Sequence, residues 1–136
     1  MTHLVLHAVQ ALDHNNELKK RIKNYLNNMS RNPRQLKKIL NLISLRWPLS
    51  MAYLYQLTLE KIIYWTVFEV RFPGLADTIV QSLYSPKDFF LKQRTALYNQ
   101  AINDYQDECR SLQNNVNINR VVCQLDNNDM AELKQL

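Results

Sequence analysis

A chain of 136 residues, 46% of them hydrophobic, has the size of about one ordinary domain with a core of its own. Its 17 Lys and Arg against 12 Asp and Glu leave a formal net charge of +5, and it holds two cysteines, Cys109 and Cys123, and a single glycine, Gly74. These counts exclude the common zinc spacings and argue against a secreted disulfide scaffold. With one glycine, neither a G-x-x-x-x-G-K-[ST] phosphate loop nor a G-x-G-x-x-G dinucleotide turn can be present.

Along the first 29 residues, Leu4, Ala8, Ala11, Leu18, Ile22, Tyr25 and Met29 share one helical stripe, with Asn15 at its vacant position. The segment reads as one long helix, or two broken near residues 13–16. It has no basic n-region and the chain has no run of about 20 apolar residues, so neither a signal peptide nor a membrane span is expected, and reduced thiols in the cytoplasm are. Asn32 and Pro33 then open a helix, the first as N-cap and the second at the position where no N–H is needed. Leu36, Ile39, Leu40 and Ile43 form its apolar face, while Arg34, Lys37, Lys38 and Asn41 lie on or near the opposite side. Pro48 is expected to end or kink this helix near Trp47, with residues 49–56 adding a turn or two at most.

Thr58 caps the next helix, which runs to about Arg71. It is apolar around most of its circumference and is therefore the expected core helix, with Ile62, Trp65 and Phe68 nearly inaccessible alongside Leu40. Phe72-Pro73-Gly74 stops it. A short helix follows with Leu75, Ile79, Val80 and Leu83 inward. Ser85-Pro86-Lys87-Asp88 starts another that extends to about Leu112. The run Asn114 to Asn119 is read as a loop and Met130 to Leu136 as the last helix. The expected fold is all-α: residues 1–136 form a single compact bundle of five to six helices, with at most a short extended segment near 119–125.

Charge is unevenly spread. Residues 18–59 contain no Asp or Glu, yet carry Lys19, Lys20, Arg21, Lys23, Arg31, Arg34, Lys37, Lys38 and Arg46. Such a block favours an anionic partner. Arg34 is the most pointed member. It sits in the first turn of a helix, where free amides and the dipole already attract anions and where a cation costs some stability unless an anion meets it.

Other constellations carry less. His3 and His7 stand at i, i+4 spacing with His14 two turns on, which reads as a frayed N-terminal turn rather than a metal site. Tyr53, Tyr55, Tyr64, Trp65, Phe68 and Phe72 at helical spacing read as core rather than as a base-stacking platform. Glu60, Glu69 and Asp77 have no matched carboxylate, and Glu69 is expected to pair with Arg71. No Ser-His-Asp or Cys-His arrangement can be read from the sequence.

The segment R-N-P-R-Q-L-K-K-I-L-N-L-I at residues 31–43 resembles the G-N-P-R-R-[IL]-K-R-[FL]-L-N-x-[LI] motif of the KAP family of P-loop NTPases. Further on, L-E-K-I-I-Y-W-T-V-F-E-V-R-F-P-G-L resembles the L-x-K-L-L-x-L-x-x-L-E-x-R-F-P-E-L segment of the same family, so the likeness spans roughly residues 30–80. Arg31 stands where glycine is usual, and Gly74 where an acid often follows Phe-Pro. The resemblance implies a helical lid from the C-terminal part of a larger, AAA+-like ATPase. Its sensor-2-like arginine would be Arg34, with Lys37, Lys38 and Arg31 as lesser nucleotide contacts. ATP with Mg would be held by an NTPase core domain in cis, since Walker A and Walker B lie outside this chain, and no hydrolysis is expected of the chain alone. The alternative is a free-standing helical binding module whose basic residues 18–46 take nucleic acid or an acidic protein.

Overall fold

Seven successive side chains, Ile62 to Phe68, are buried on every side of one helix, and the other helices are arranged to cover it. The computed structural model describes Lys20, Ile22, Lys23 and residues 32–92 and 95–136. Among the described residues from 32 onward there are eight helices, and no described residue lies in a strand: α1 (Pro33–Ala52), α2 (Leu59–Arg71), α3 (Pro73–Ser82), α4 (Pro86–Leu91), α5 (Ala96–Asp104), α6 (Gln106–Asn114), α7 (Val116–Val122) and α8 (Asn127–Leu133). The all-α expectation holds, with more and shorter helices than the five to six foreseen. Most of the expected N-terminal helix lies outside the described residues. Lys20, Ile22 and Lys23 are helical, and Ile22 is fully buried as its stripe requires.

α1 begins as its sequence dictates. The Asn32 side chain accepts from the Arg34 N–H at 3.0 Å and the Gln35 N–H at 3.5 Å, and Pro33 occupies the first turn. It does not stop at Pro48. A proline inside a helix removes one ladder bond and crowds the preceding turn, costing about 3 kcal/mol. Here Pro48 is itself buried in line with Ile39, Ile43 and Ser44, so packing against α2 offsets that penalty. Leu40 is half-buried rather than inaccessible, whereas Ile62, Trp65 and Phe68 are buried as expected.

α2 is capped by Thr58, whose hydroxyl accepts from the Lys61 N–H at 3.2 Å. Glu60 in its first turn and Arg71 in its last suit the helix dipole. α1 covers one side most extensively, and α7 and α3 cover the rest. Phe72 ends α2 and starts α3, but gives α3 no side-chain cap. The cap comes from α6 instead, where Glu108 Oε1 accepts from the Gly74 N–H at 3.1 Å and the Leu75 N–H at 3.2 Å. The same approach explains the lone glycine. A Cβ at residue 74 would overlap the Tyr105 ring and crowd the Glu108 carboxylate.

Three expectations fail downstream. Leu83 does not face inward. It closes α3 in the left-handed region, φ 66°, which turns its side chain out to 85% exposure. The long helix expected from Ser85 to Leu112 is three. α4 ends at Leu91 with Lys92 as its C-cap, Thr95 starts α5 by accepting from the Tyr98 N–H at 3.2 Å, and the chain breaks again at Tyr105, whose ring packs against Gly74. The Asn-rich run is helix α7, not a loop or an extended segment. Burial of Ile118, Val121 and Val122 against α2 overrides the weak helix propensity of asparagine. α8 opens with a reciprocal capping box between Asp126 and Asp129 and ends at Leu133, short of the expected Leu136.

Truncating Phe68 to Ala should lower stability by about 3–5 kcal/mol, the range for a buried aromatic. Gly74→Ala should lower it by about 1–3 kcal/mol through overpacking against Tyr105 and Glu108. Urea unfolding monitored by circular dichroism checks both, and a loss below about 0.5 kcal/mol at either position would contradict the packing described.

Candidate functional site

The outward face of α1 gathers what the sequence singled out. Arg34, Lys37 and Lys38 are exposed, and with Asn41, Leu42 and Leu45 they line a shallow open groove of about 390 Å³. Positions 34, 38, 41, 42 and 45 follow one helical stripe, so a single element aligns them. No acidic residue stands in the first turn, and none of the three cations forms an ion pair among the described residues. Arg31 lies outside the described residues, as do Lys19 and Arg21. Lys20 and Lys23 are helical and exposed.

The backbone at this helix end differs from the expectation of free amides. Pro33 has no N–H. Those of Arg34 and Gln35 point to Asn32 Oδ1, and that of Leu36 donates to the Asn32 carbonyl at 2.9 Å. Asn32 caps the turn so completely that an anion arriving here meets side-chain cations, not a nest of amides.

Arg46 is withdrawn from the basic block. Its Nη1 and Nη2 donate to Glu69 Oε1 and Oε2, both at 3.1 Å, and Nη1 also donates to Thr66 Oγ1 at 2.9 Å. Thr66 in turn donates to the Ile62 carbonyl at 2.7 Å. This bidentate fork joins α1 to α2 and corrects the expected Glu69–Arg71 pair. Residues two apart on a helix point in different directions, whereas Arg46 faces Glu69 across the helix–helix contact. Arg71 instead donates to Asn115 Oδ1 at 3.3 Å and lies 5.4 Å from the centre of the Phe72 ring, and its burial lowers its pKa. Lys61 is likewise engaged, with Asp129 at 3.0 Å.

No protein-family model matches this chain, and neither does any curated protein or solved structure. Among the described residues there is no group of three metal-ligating side chains, and no helix is long and apolar enough to cross a membrane. His3, His7 and His14 lie outside those residues. Tyr64, Trp65, Phe68 and Phe72 are core, with the Trp65–Phe68 and Phe68–Phe72 ring centres 5.5 and 5.6 Å apart, whereas Tyr53 and Tyr55, also expected in the core, follow the end of α1, where Tyr53 is exposed and Tyr55 half-buried. Leu42 and Leu45 are not among the residues that the sequence singles out, yet both line this groove. Leu45 is 61% exposed in the cationic groove, and the signal was present: Leu36, Ile39, Leu40 and Ile43 already fill the inward stripe, leaving two leucines on the other side.

Two kinds of cation should separate on mutation. Glu69→Ala strands the mostly buried Arg46 guanidinium and should cost about 2 kcal/mol, in line with hydrogen bonds to charged groups. Ala at Arg34, Lys37 or Lys38 should change stability by less than about 0.5 kcal/mol. Thermal melts of the four variants check the contrast, which disappears if Arg34 is structural.

Proposed function

We propose that this chain is a helical lid of a P-loop NTPase, with Arg34, Lys37 and Lys38 meeting the phosphates of a nucleotide held by a separate NTPase domain. The observation that carries the reading is the open row of three cations on the first turns of α1, unneutralised by any acid among the described residues. The resemblance of residues 30–80 to KAP-family segments supplies the nucleotide as the anion. In this reading ATP with Mg supplies the phosphoryl group, and this chain contributes positioning and charge. Arg34 offers a planar fork suited to phosphate oxygens, and Lys37 and Lys38, one turn further, add point charge. Leu42 and Leu45, next along the same stripe, give the NTPase domain an apolar contact, so phosphate contact and docking fall on one rigid helix. The Arg46–Glu69 fork holds that helix to α2, and α1 and α2 would therefore move together during closure.

The groove also suits an acidic amphipathic segment of another protein, because its cations flank exposed leucine. Nucleic acid is served by the charge alone, so any such binding should be weak, unspecific and steeply dependent on salt.

An in-frame G-x-x-x-x-G-K-[ST] in the gene upstream of residue 1 is the first check. In that protein Arg34→Ala should reduce ATP turnover by about tenfold or more, the scale of a lost charge-assisted contact to a transferring phosphoryl group, at an unchanged melting temperature. Unchanged turnover at saturating ATP, or no such upstream motif, would overturn the lid reading.

A further inference from the structure

A second concavity lies away from α1, enclosed by α4, α5, α6 and α7. Its volume is about 370 Å³, at the small end of the range for ligand pockets. Phe90, Leu91, Ile102 and Leu112 give it apolar walls, and Tyr98 and both cysteines of the chain lie on its surface. Cys109 comes from α6 and Cys123 from the end of α7, so the fold brings to one cavity two thiols that the sequence left idle.

Charge narrows what the cavity can take. Burial pushes the Cys123 thiol up to about 11, and its Sγ donates to Asn119 Oδ1 at 2.9 Å. Burial and the neighbouring Glu108 raise Cys109, and burial followed by the two sulfurs raises Tyr98. All three are neutral near pH 7. Among the described lining residues there is no carboxylate, and Lys87 is the one charged group. Lys87 is exposed, and its backbone N–H is fixed to the Leu125 carbonyl at 3.1 Å. The result is an apolar recess with neutral polar walls and a single cation whose charge no described carboxylate neutralises.

We propose that this cavity is a binding site for a small amphipathic carboxylate. Its apolar body lies among Phe90, Tyr98, Ile102 and Leu112, and its carboxylate meets the Lys87 ammonium. A chain-like or aromatic acid satisfies both requirements. A neutral analogue satisfies only the first, and a hydrophilic anion such as inorganic phosphate only the second. The site is separate from the cationic groove of α1 and does not depend on the lid reading.

The two thiols report on occupancy. Reduced protein is treated with the neutral reagent N-ethylmaleimide at mildly alkaline pH, with decanoate or decanol, and modification of Cys109 and Cys123 is followed by mass spectrometry. Decanoate should slow modification of both thiols saturably, and decanol should require about tenfold more for the same protection, the scale of one charge-assisted contact. Lys87→Gln should raise the half-protecting decanoate concentration by about the same factor, leaving decanol protection and the melting temperature unchanged. Ile102→Trp, which fills the recess, should abolish saturable protection; if that variant does not fold, Lys87→Gln decides. No protection by decanoate, equal protection by decanol, or an unaltered decanoate response in Lys87→Gln would each overturn the proposal.

Discussion

The constraint behind the architecture is that α2 has no face to leave in water. A helix apolar all round must be covered all round, and no single neighbour can do this. α1 covers one side with Ile39 and Ile43, α7 another with Ile118, Val121 and Val122, and α3 packs Leu75 and Ile79 from the end at which α2 turns. Because the covering elements are short, their ends lie close to the core and need partners. Glu108 caps α3 from α6, Asn115 bridges the end of α2 and the turn after α6, and Asp129 joins its own capping box to Lys61. Side-chain bonds between elements do here what longer helices would do within themselves.

That arrangement divides the basic residues by role. Arg46, Lys61 and Arg71 point into contacts between helices and are used there. Arg34, Lys37 and Lys38 stand exposed on α1, the longest of the described helices. Three like charges side by side repel one another and face the positive end of a helix dipole, and no described acid offsets them.

The sequence made the helix starts legible, because caps are local chemistry: Asn32, Thr58 and Ser85 accept from the amides their positions imply. It also made the buried run of α2 legible, since an apolar circumference has few other readings. What it hid were features set by distant residues. Pro48 sits inside a helix because α2 packs against it, and asparagines 115 to 119 are helical or cap-forming because Ile118 and Val121 reach the core. At the break between α5 and α6, the Tyr105 ring packs on Gly74, some thirty positions earlier. In the cationic groove Arg34, Lys37 and Lys38 were readable as exposed. Withdrawal of Arg46 depended on facing Glu69 across a helix pair, which no spacing in one segment encodes, and the placing of Cys109 and Cys123 on one cavity depended on three intervening helix ends.

The contact of Gly74 with Tyr105 and Glu108 also bears on the order in which this protein could change over evolutionary time. A side chain at residue 74 overlaps the Tyr105 ring, so it is accommodated at least cost after a smaller residue has replaced Tyr105. That first step removes a half-buried aromatic and gains nothing until 74 has changed as well. The two sites are therefore coupled: the effect of a side chain at 74 depends on what stands at 105. A descendant with an acid after Phe72-Pro73 would therefore be expected to have replaced Tyr105 first and to have released Glu108 from its capping duty.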